Sequence, residues 1–188
     1  MPASTKSHQP KLLDEVRPVA FQGELYQVNA ELHFPGVARV PLLIAALGPV
    51  MLRLAGQFAD GTVTWMTGPR TLETHIVPRI RQAAQEVGRP APRVVAGLPI
   101  AITNAPDQAR EVAREVFAIY GTLPSYQAML AREGVSGPAD IPLVGDAATV
   151  EAELRRLAEI GVTDLLAAPF PADAGAMART IDFLAGQL

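Results

Sequence analysis

PLLIAALGPVMLRLAGQFADG, Pro41 to Gly61, holds a buried strand, a Gly-Pro turn and the start of a helix in one unbroken run. Val40, Leu42, Leu43, Ile44, Ala45 and Ala46 form an apolar stretch with almost no polar alternation, the pattern of a parallel strand covered on both faces. Gly48 lets the backbone turn and come close to a ligand, and Pro49 fits the first helical position, where its missing N–H costs nothing. Met51, Leu52, Leu54, Ala55 and Phe58 then recur at helical spacing. The unpaired N–H groups of that helix start, with the positive end of its dipole, favour a phosphate placed just above Leu47 and Gly48. An ordinary βα turn, in which Gly48 is only geometry, accounts for the same spacing equally well.

Outward from this run the alternation repeats. Asp60-Gly61 turns into a second strand, Thr62–Met66, which Thr67-Gly68-Pro69 ends. Leu72–Val87 is predicted as a helix stopping at Gly88, and Pro78 inside it predicts a kink or a helix beginning there. Arg93–Thr103 is a third strand, Asp107–Ile119 an amphipathic helix, and Leu123–Glu133 a further helix with Gly134 as its C-cap. Pro142–Asp146 is a short link into a helix over Ala148–Ile160, ended by Gly161. Thr163–Phe170 is a fourth strand, and Gly175–Leu184 a closing helix. Strand followed by helix, repeated with helices of about ten or more residues, is the mark of parallel βα units with right-handed crossovers. The expected fold class is α/β. Four units are too few for a (β/α)8 barrel, which takes about 250 residues, and an open sheet of four strands leaves two edges without cover.

Ahead of these units the pattern differs. Residues 1–10 are polar and aperiodic, as in a loose tail, and Lys11–Arg17 could end a helix. From Val19 to Phe34, the positions of Phe21, Leu25, Tyr26, Val28, Leu32 and Phe34 predict a β-hairpin or extended arm, closed by Pro35-Gly36. The expected organisation is a flexible tail and helix end over 1–17, a hairpin over 18–36 and a βα domain over 37–188.

Composition narrows the function. A chain of 188 residues, 49% hydrophobic, can bury one sizeable core. The net charge is −3, and the nearest thing to a basic cluster, Arg155-Arg156, shares its helix with Glu151, Glu153 and Glu159, so nucleic acid is not an expected partner. The sequence has no cysteine, which removes disulfides, thiol catalysis, thiolate metal sites and iron–sulfur clusters together. The N-terminus carries no apolar signal-peptide core, and the apolar runs fall far short of the ~20 residues that span a bilayer. A cytoplasmic setting is expected.

Several blocks in one order resemble a known family. They are AALGPVMLRLAGQFADGTVTWM, HIVPRI, EVGRPAPRVVAGLPIAIT, FAIYGTLPSYQAMLAREGV, LVGD and GVTDLLAAPF. Together they resemble the luciferase-like monooxygenase superfamily, specifically its oxidoreductases that use the deazaflavin coenzyme F420. The resemblance runs from about Phe21 to the C-terminus. It implies a TIM-barrel type fold, partial here: the C-terminal four βα units of a (β/α)8 barrel, preceded by the family's extended hairpin. It implies hydride transfer between reduced deazaflavin and a small organic substrate, with coenzyme F420 as cofactor and FMN as the alternative. By the same resemblance Ala46, Leu47 and Gly48 fall at the cofactor's phosphate, and Trp65 and Met66 at the end of the next strand, beside the cofactor. The family's first barrel half, which supplies much of the pocket under the ring, has no counterpart in these residues. Catalytic side chains are therefore not assigned. The alternative expectation is a catalytically inactive half-barrel that binds a phosphate-bearing ligand or only self-associates, and a homodimer would cover its open edges.

Other candidates carry less. His8, His33 and His75 are far apart in sequence, so no metal site is expected, and His75 reads as a surface or capping residue. Asp60 precedes its strand, at the face opposite the active ends of a barrel, where a carboxylate supports a turn or a stability contact. Core packing accounts for Trp65, though the resemblance makes it a pocket wall. Tyr120, Pro124, Ser125 and Tyr126 read as helix packing or a subunit contact. The acidic helix from Glu111 to Glu115 is expected to be a solvated face, and Asp146 an N-cap.

Overall fold

The computed structural model describes residues 18–31 and 40–187. The expected tail, the helix end over 11–17 and the Pro35-Gly36 closure lie outside the described residues. The chain divides into two compact units, Met1–Leu42 and Leu43–Leu188. In the first, β1 (Val19–Gln22) pairs antiparallel with β2 (Gln27–Ala30), with Val19 opposite Ala30 and Gln22 opposite Gln27. The Gly23 N–H donates to the Tyr26 carbonyl at 2.8 Å and closes the hairpin loop.

The second unit is a parallel sheet with helical crossovers. Its elements run β3 (Leu43–Ala45), α1 (Pro49–Phe58), β4 (Gly61–Trp65), α2 (Pro69–Thr71), a π-helical turn (Leu72–Ile76), α3 (Val77–Glu86) and β5 (Arg93–Ile102). They continue through α4 (Pro106–Val116), α5 (Pro124–Glu133), β6 (Leu143–Gly145), α6 (Ala147–Glu159), β7 (Asp164–Pro169) and α7 (Ala176–Ala185), with short 3₁₀ turns at Ala118–Gly121 and Pro138–Asp140. Pro78 acts where expected: α3 starts beside it, and the preceding turn widens to π geometry because proline has no N–H and its ring crowds the carbonyl four residues back. Gly134 ends α5 in the left-handed region at φ 80°, and the Asp146 side chain caps α6 by accepting from the Thr149 N–H at 2.8 Å.

β5 organises the sheet. It pairs in parallel with β4 on one side (Arg93 opposite Gly61, Gly97 opposite Trp65) and with β7 on the other (Val95 opposite Asp164, Ile100 opposite Pro169). β3 lies beyond β4. The segment read as a short link, Pro142–Asp146, contains a strand instead: β6 pairs with β5 at Ile100–Ile102. It was not legible because three apolar residues give no measurable period. β6 takes the side that β4 leaves, since the Arg93 and Thr103 N–H groups point that way, to the Asp60 and Gly145 carbonyls. Pro99 sits on that same side between the two partners, so its missing N–H breaks no ladder.

Among the described residues, one face of this sheet is fully covered by the unit's helices, and the other is open at β3, β4 and β7 while Gly97, Pro99 and Ala101 of β5 stay buried. Thr62, Thr64, Val94, Ala96, Leu98 and Ile100 are all buried, packed with Leu52 and Ala55 of α1, Ile80 and Ala84 of α3 and Ala176 of α7. Neighbours of opposite parity are more open: Ala45 is exposed, Val63, Trp65 and Val95 are half-buried, and Leu166 is 51% exposed. The apolar run at β3 predicted cover on both faces; among the described residues, the second face lacks it. No helix among the described residues is long and apolar enough to cross a membrane.

At the N-terminal ends of the strands, arginines tie the crossovers down. Arg89 donates to the Ala59 carbonyl at 2.9 Å and pairs with Asp60 at 3.2 Å, and Arg93 pairs with Asp164 across β5 and β7. The stability role expected of Asp60 is thus met. α7 is pinned by Thr180, whose buried hydroxyl donates to the Ala176 carbonyl at 2.6 Å and accepts from the Ile102 N–H at 2.9 Å. Thr180→Val keeps the shape but leaves that N–H unpaired, so urea unfolding should show a loss of about 1–3 kcal/mol that Thr180→Ser largely restores.

Candidate cofactor cleft

β3 and β4 end side by side, and the backbone leaving β3 turns at once into α1. A cleft of about 490 Å³ opens at this end of the sheet. Ala45, Ala46, Leu47 and Gly48 form one wall, Val63, Thr64 and Trp65 the next, with Ser125 and Tyr126 from the start of α5 and Leu166 from β7 closing it. Its walls are mostly apolar, and its volume is that of ordinary small-molecule sites.

Gly48 has a backbone of φ −80° and ψ 157°, which any residue adopts. The turn therefore does not require glycine, contrary to the geometric role read from sequence. A Cβ built there meets nothing within 4 Å, so a side chain at Gly48 would occupy open space where a ligand could approach the backbone. No side chain caps α1 among the described residues, and Pro49 takes its first position. The next unit starts in the same way, Gly68-Pro69, but there the Glu133 carboxylate of α5 accepts from the N–H groups of Arg70 at 3.0 Å and Thr71 at 2.7 Å. One Gly-Pro helix start carries its own anion; the other stands open.

Trp65 lines the cleft, and its indole is half-buried. The Nε1 atom is buried with no hydrogen-bond partner among the described residues. Tyr120 meets the indole edge-on with ring centroids 6.1 Å apart and stacks edge-on with Tyr126 at 4.8 Å, so of the tyrosines read as helix packing Tyr126 also lines the cleft and Tyr120 backs Trp65. The place of Tyr126 was hidden because α5 reaches the cleft only by tertiary packing. Burial pushes the Tyr126 phenol up from its ordinary value, with the neighbouring Tyr120 adding to the effect. Met66 is buried and turned away from the lining; it is the non-glycine residue with positive φ, 49°, among the described residues. This conformation bends the chain out of β4 while the Met66 N–H still donates to the Gly97 carbonyl at 3.1 Å.

His75, read from sequence as a surface or capping residue, is 2% exposed and bonds to a different element. Its Nε2 lies 2.9 Å from the Leu47 carbonyl, and its Nδ1 accepts from Arg79 Nε at 3.0 Å. A carbonyl can only accept, so Nε2 carries the proton and the ring is neutral. Helical spacing did not reveal this because the partner carbonyl lies 28 residues away. At the same end of the sheet, beyond β5, the Thr103 hydroxyl donates to Asp173 at 2.7 Å and Arg179 pairs with the same carboxylate. Those two donors hold the Asp173 carboxyl below the usual range.

The chain matches the luciferase-like monooxygenase family over residues 10–164. It belongs to that family. A 5,10-methylenetetrahydromethanopterin reductase of Archaeoglobus fulgidus is 33% identical over 134 residues, covering 68% of this chain and 38% of the relative. An F420-dependent glucose-6-phosphate dehydrogenase of Mycolicibacterium fortuitum is 27% identical over 140 residues, 73% of this chain and 40% of the relative. In structure, an F420-dependent secondary alcohol dehydrogenase in complex with an F420-acetone adduct superposes with a TM-score of 0.68 at 23% identity, over 85% of this chain and 52% of the other. The coenzyme F420 dependent tetrahydromethanopterin reductase from Methanopyrus kandleri gives 0.66 at 23% identity, over 85% and 54%. The chain thus spans well under two thirds of these curated relatives, and its fold is TIM-barrel type, partial.

The Glu133 clamp joins α5 to the β4 loop and so shapes the cleft. Glu133→Ala should lower the unfolding free energy by roughly 1–2 kcal/mol, the usual worth of a helix cap with favourable charge, and Glu133→Gln by less. Urea melts at low and high salt measure both, with the gap narrowing in high salt.

Proposed function

We propose that this luciferase-like chain is an F420-dependent oxidoreductase, acting in the cytoplasm on a small organic substrate. Ala46, Leu47 and Gly48 hold the coenzyme's phosphate against the uncapped start of α1, and Trp65 with Met66 stands beside the ring, Trp65 as the wall and Met66 as the buried bend behind it. The observation that carries this reading is Gly48: its conformation needs no glycine, yet the space above it is open and lies on the same cleft as Trp65. The group fits, since an anion gains from the unpaired N–H groups and dipole of α1 and a planar ring gains from apolar walls. When bound, the deazaflavin supplies the hydride chemistry, and the chain's residues bind, orient and exclude water. FMN offers a phosphate of the same kind and is the alternative cofactor.

A non-enzymatic reading rests on a different observation, the partly open second face of the sheet, where Leu166 of β7 is exposed. A second copy of the chain would cover that face and the strand edges, giving a homodimer. Light scattering checks this: a dimer is expected, and a cooperative monomer speaks against it.

Calorimetric titration with F420 tests the first reading. The wild-type chain should bind with micromolar or better affinity, and a flat titration would sink the proposal for this chain. Gly48→Asp should abolish binding through like charge. Gly48→Ala should weaken binding about tenfold, ~1.4 kcal/mol, while its unfolding free energy stays equal or rises by about 0.4–1 kcal/mol, because the backbone is already in an ordinary region. A glycine needed only for the fold would show the reverse.

A further inference from the structure

We infer that His75 is a positioning residue for the Leu47-Gly48 loop: from beneath, held by Arg79, it fixes the Leu47 carbonyl and makes the loop's competence to bind an anion depend on its own neutral state. This rests on the reading of that loop as the cofactor's phosphate site. Three features support it. The ring is buried and spans two elements, reaching from the π-helical turn to the backbone just before α1. Both nitrogens are used, Nε2 donating to Leu47 and Nδ1 accepting from Arg79, so only one neutral tautomer satisfies the pair. The contacted carbonyl belongs to the residue before Gly48, so the peptide plane that His75 holds is the one that carries the Gly48 N–H.

The charged groups around the ring make a second proton costly. Arg79 on α3 and Arg132 on α5 both face it, Arg53 and Glu86 share an outer cleft with Arg79, and Glu133 is committed to the Arg70 and Thr71 amides. Burial above all, with those two arginines, lowers the His75 pKa from 6.5, against the opposing bond to Leu47. The folded pKa lies below the unfolded one, so the stability tied to the neutral ring is complete above about 6.5 and is lost as pH falls through the lowered value. Protonation removes the lone pair that Arg79 uses and sets two cations against each other, so the ring keeps its Nε2–H toward Leu47 but loses the brace at Nδ1 that fixes it, and the Leu47 peptide is held less rigidly. The sign separates this from a histidine that touches the anion directly: a contacting imidazolium tightens phosphate binding as pH falls, whereas a positioning one weakens it.

The test uses the full chain and F420, titrated calorimetrically from pH 8 to pH 5, with His75→Gln and His75→Ala beside it. Glutamine keeps an N–H donor toward Leu47 but does not titrate. Wild-type affinity should fall several-fold across the acid limb, His75→Gln should bind within about threefold of wild type with a flat profile, and His75→Ala should bind about tenfold more weakly throughout. The Gly48 amide resonance, followed in the ligand-free chain, should move with the His75 titration in wild type and stay still in His75→Gln. Affinity that rises on acidification, or a Gly48 amide that ignores pH or shifts equally in the glutamine variant, overturns the proposal. If wild type binds no F420 at any pH, the cofactor reading fails, and the Gly48 amide alone decides whether His75 positions the loop.

Discussion

Nearly every element of the βα unit hangs from the hydrogen-bond ladder of β5. It contacts β4 and then β6 along one side and β7 along the other, and its even-numbered side chains, Val94 to Ile100, are buried against the helices. A strand shared in this way fixes where its neighbours end, and their ends are where the chain turns into helices. The position of the cleft, at the ends of β3 and β4, follows from that register and not from any local property of the loops. The arginine pairs at the opposite end hold the crossovers without intruding on it. This is the division of labour of barrel folds, chemistry at the C-terminal strand ends and stability contacts at the other.

Two successive units start their helices with the same Gly-Pro pair, and they have been put to different uses. At Gly68 the Glu133 carboxylate satisfies the helix start from within, and a Cβ there would run into that carboxylate. At Gly48 nothing comes within 4 Å. The helix dipole and the unpaired N–H groups are equivalent in the two cases. What differs is whether a third element, α5, brings an acid to the spot. With an internal carboxylate at one start and open space at the other, of these two N-termini only that of α1 stays open among the described residues.

The sequence read the fold better than the site. The four strands read from sequence overlap β3, β4, β5 and β7, with β3 only three residues long inside a longer apolar run, since buried runs such as Arg93–Thr103 and stops such as Gly134 act locally. β6 escaped because a three-residue strand has no period, and the expectation of two covered faces failed because an apolar run states what must be buried and not what buries it. Trp65 and the Ala46-Leu47-Gly48 segment were legible from strand ends and family-like blocks. His75 and Glu133 were not, because each acts through a hydrogen bond to residues 28 to 63 positions away, and Tyr126 reaches the cleft only through the packing of α5.

By itself, then, the sequence determined the α/β class, the order of strands and helices, the family and the place of a Gly-Pro turn after the first βα strand, because periodicity, breakers and capping residues act over a few positions along the chain. Only the tertiary structure decided which of two like turns stays open, that a buried neutral histidine holds the carbonyl beside it, and that, among the described residues, one sheet face is open at β3, β4 and β7. Those outcomes depend on hydrogen bonds and packing between residues that the ladder of β5 brings together, and such distances in space leave no trace in local spacing.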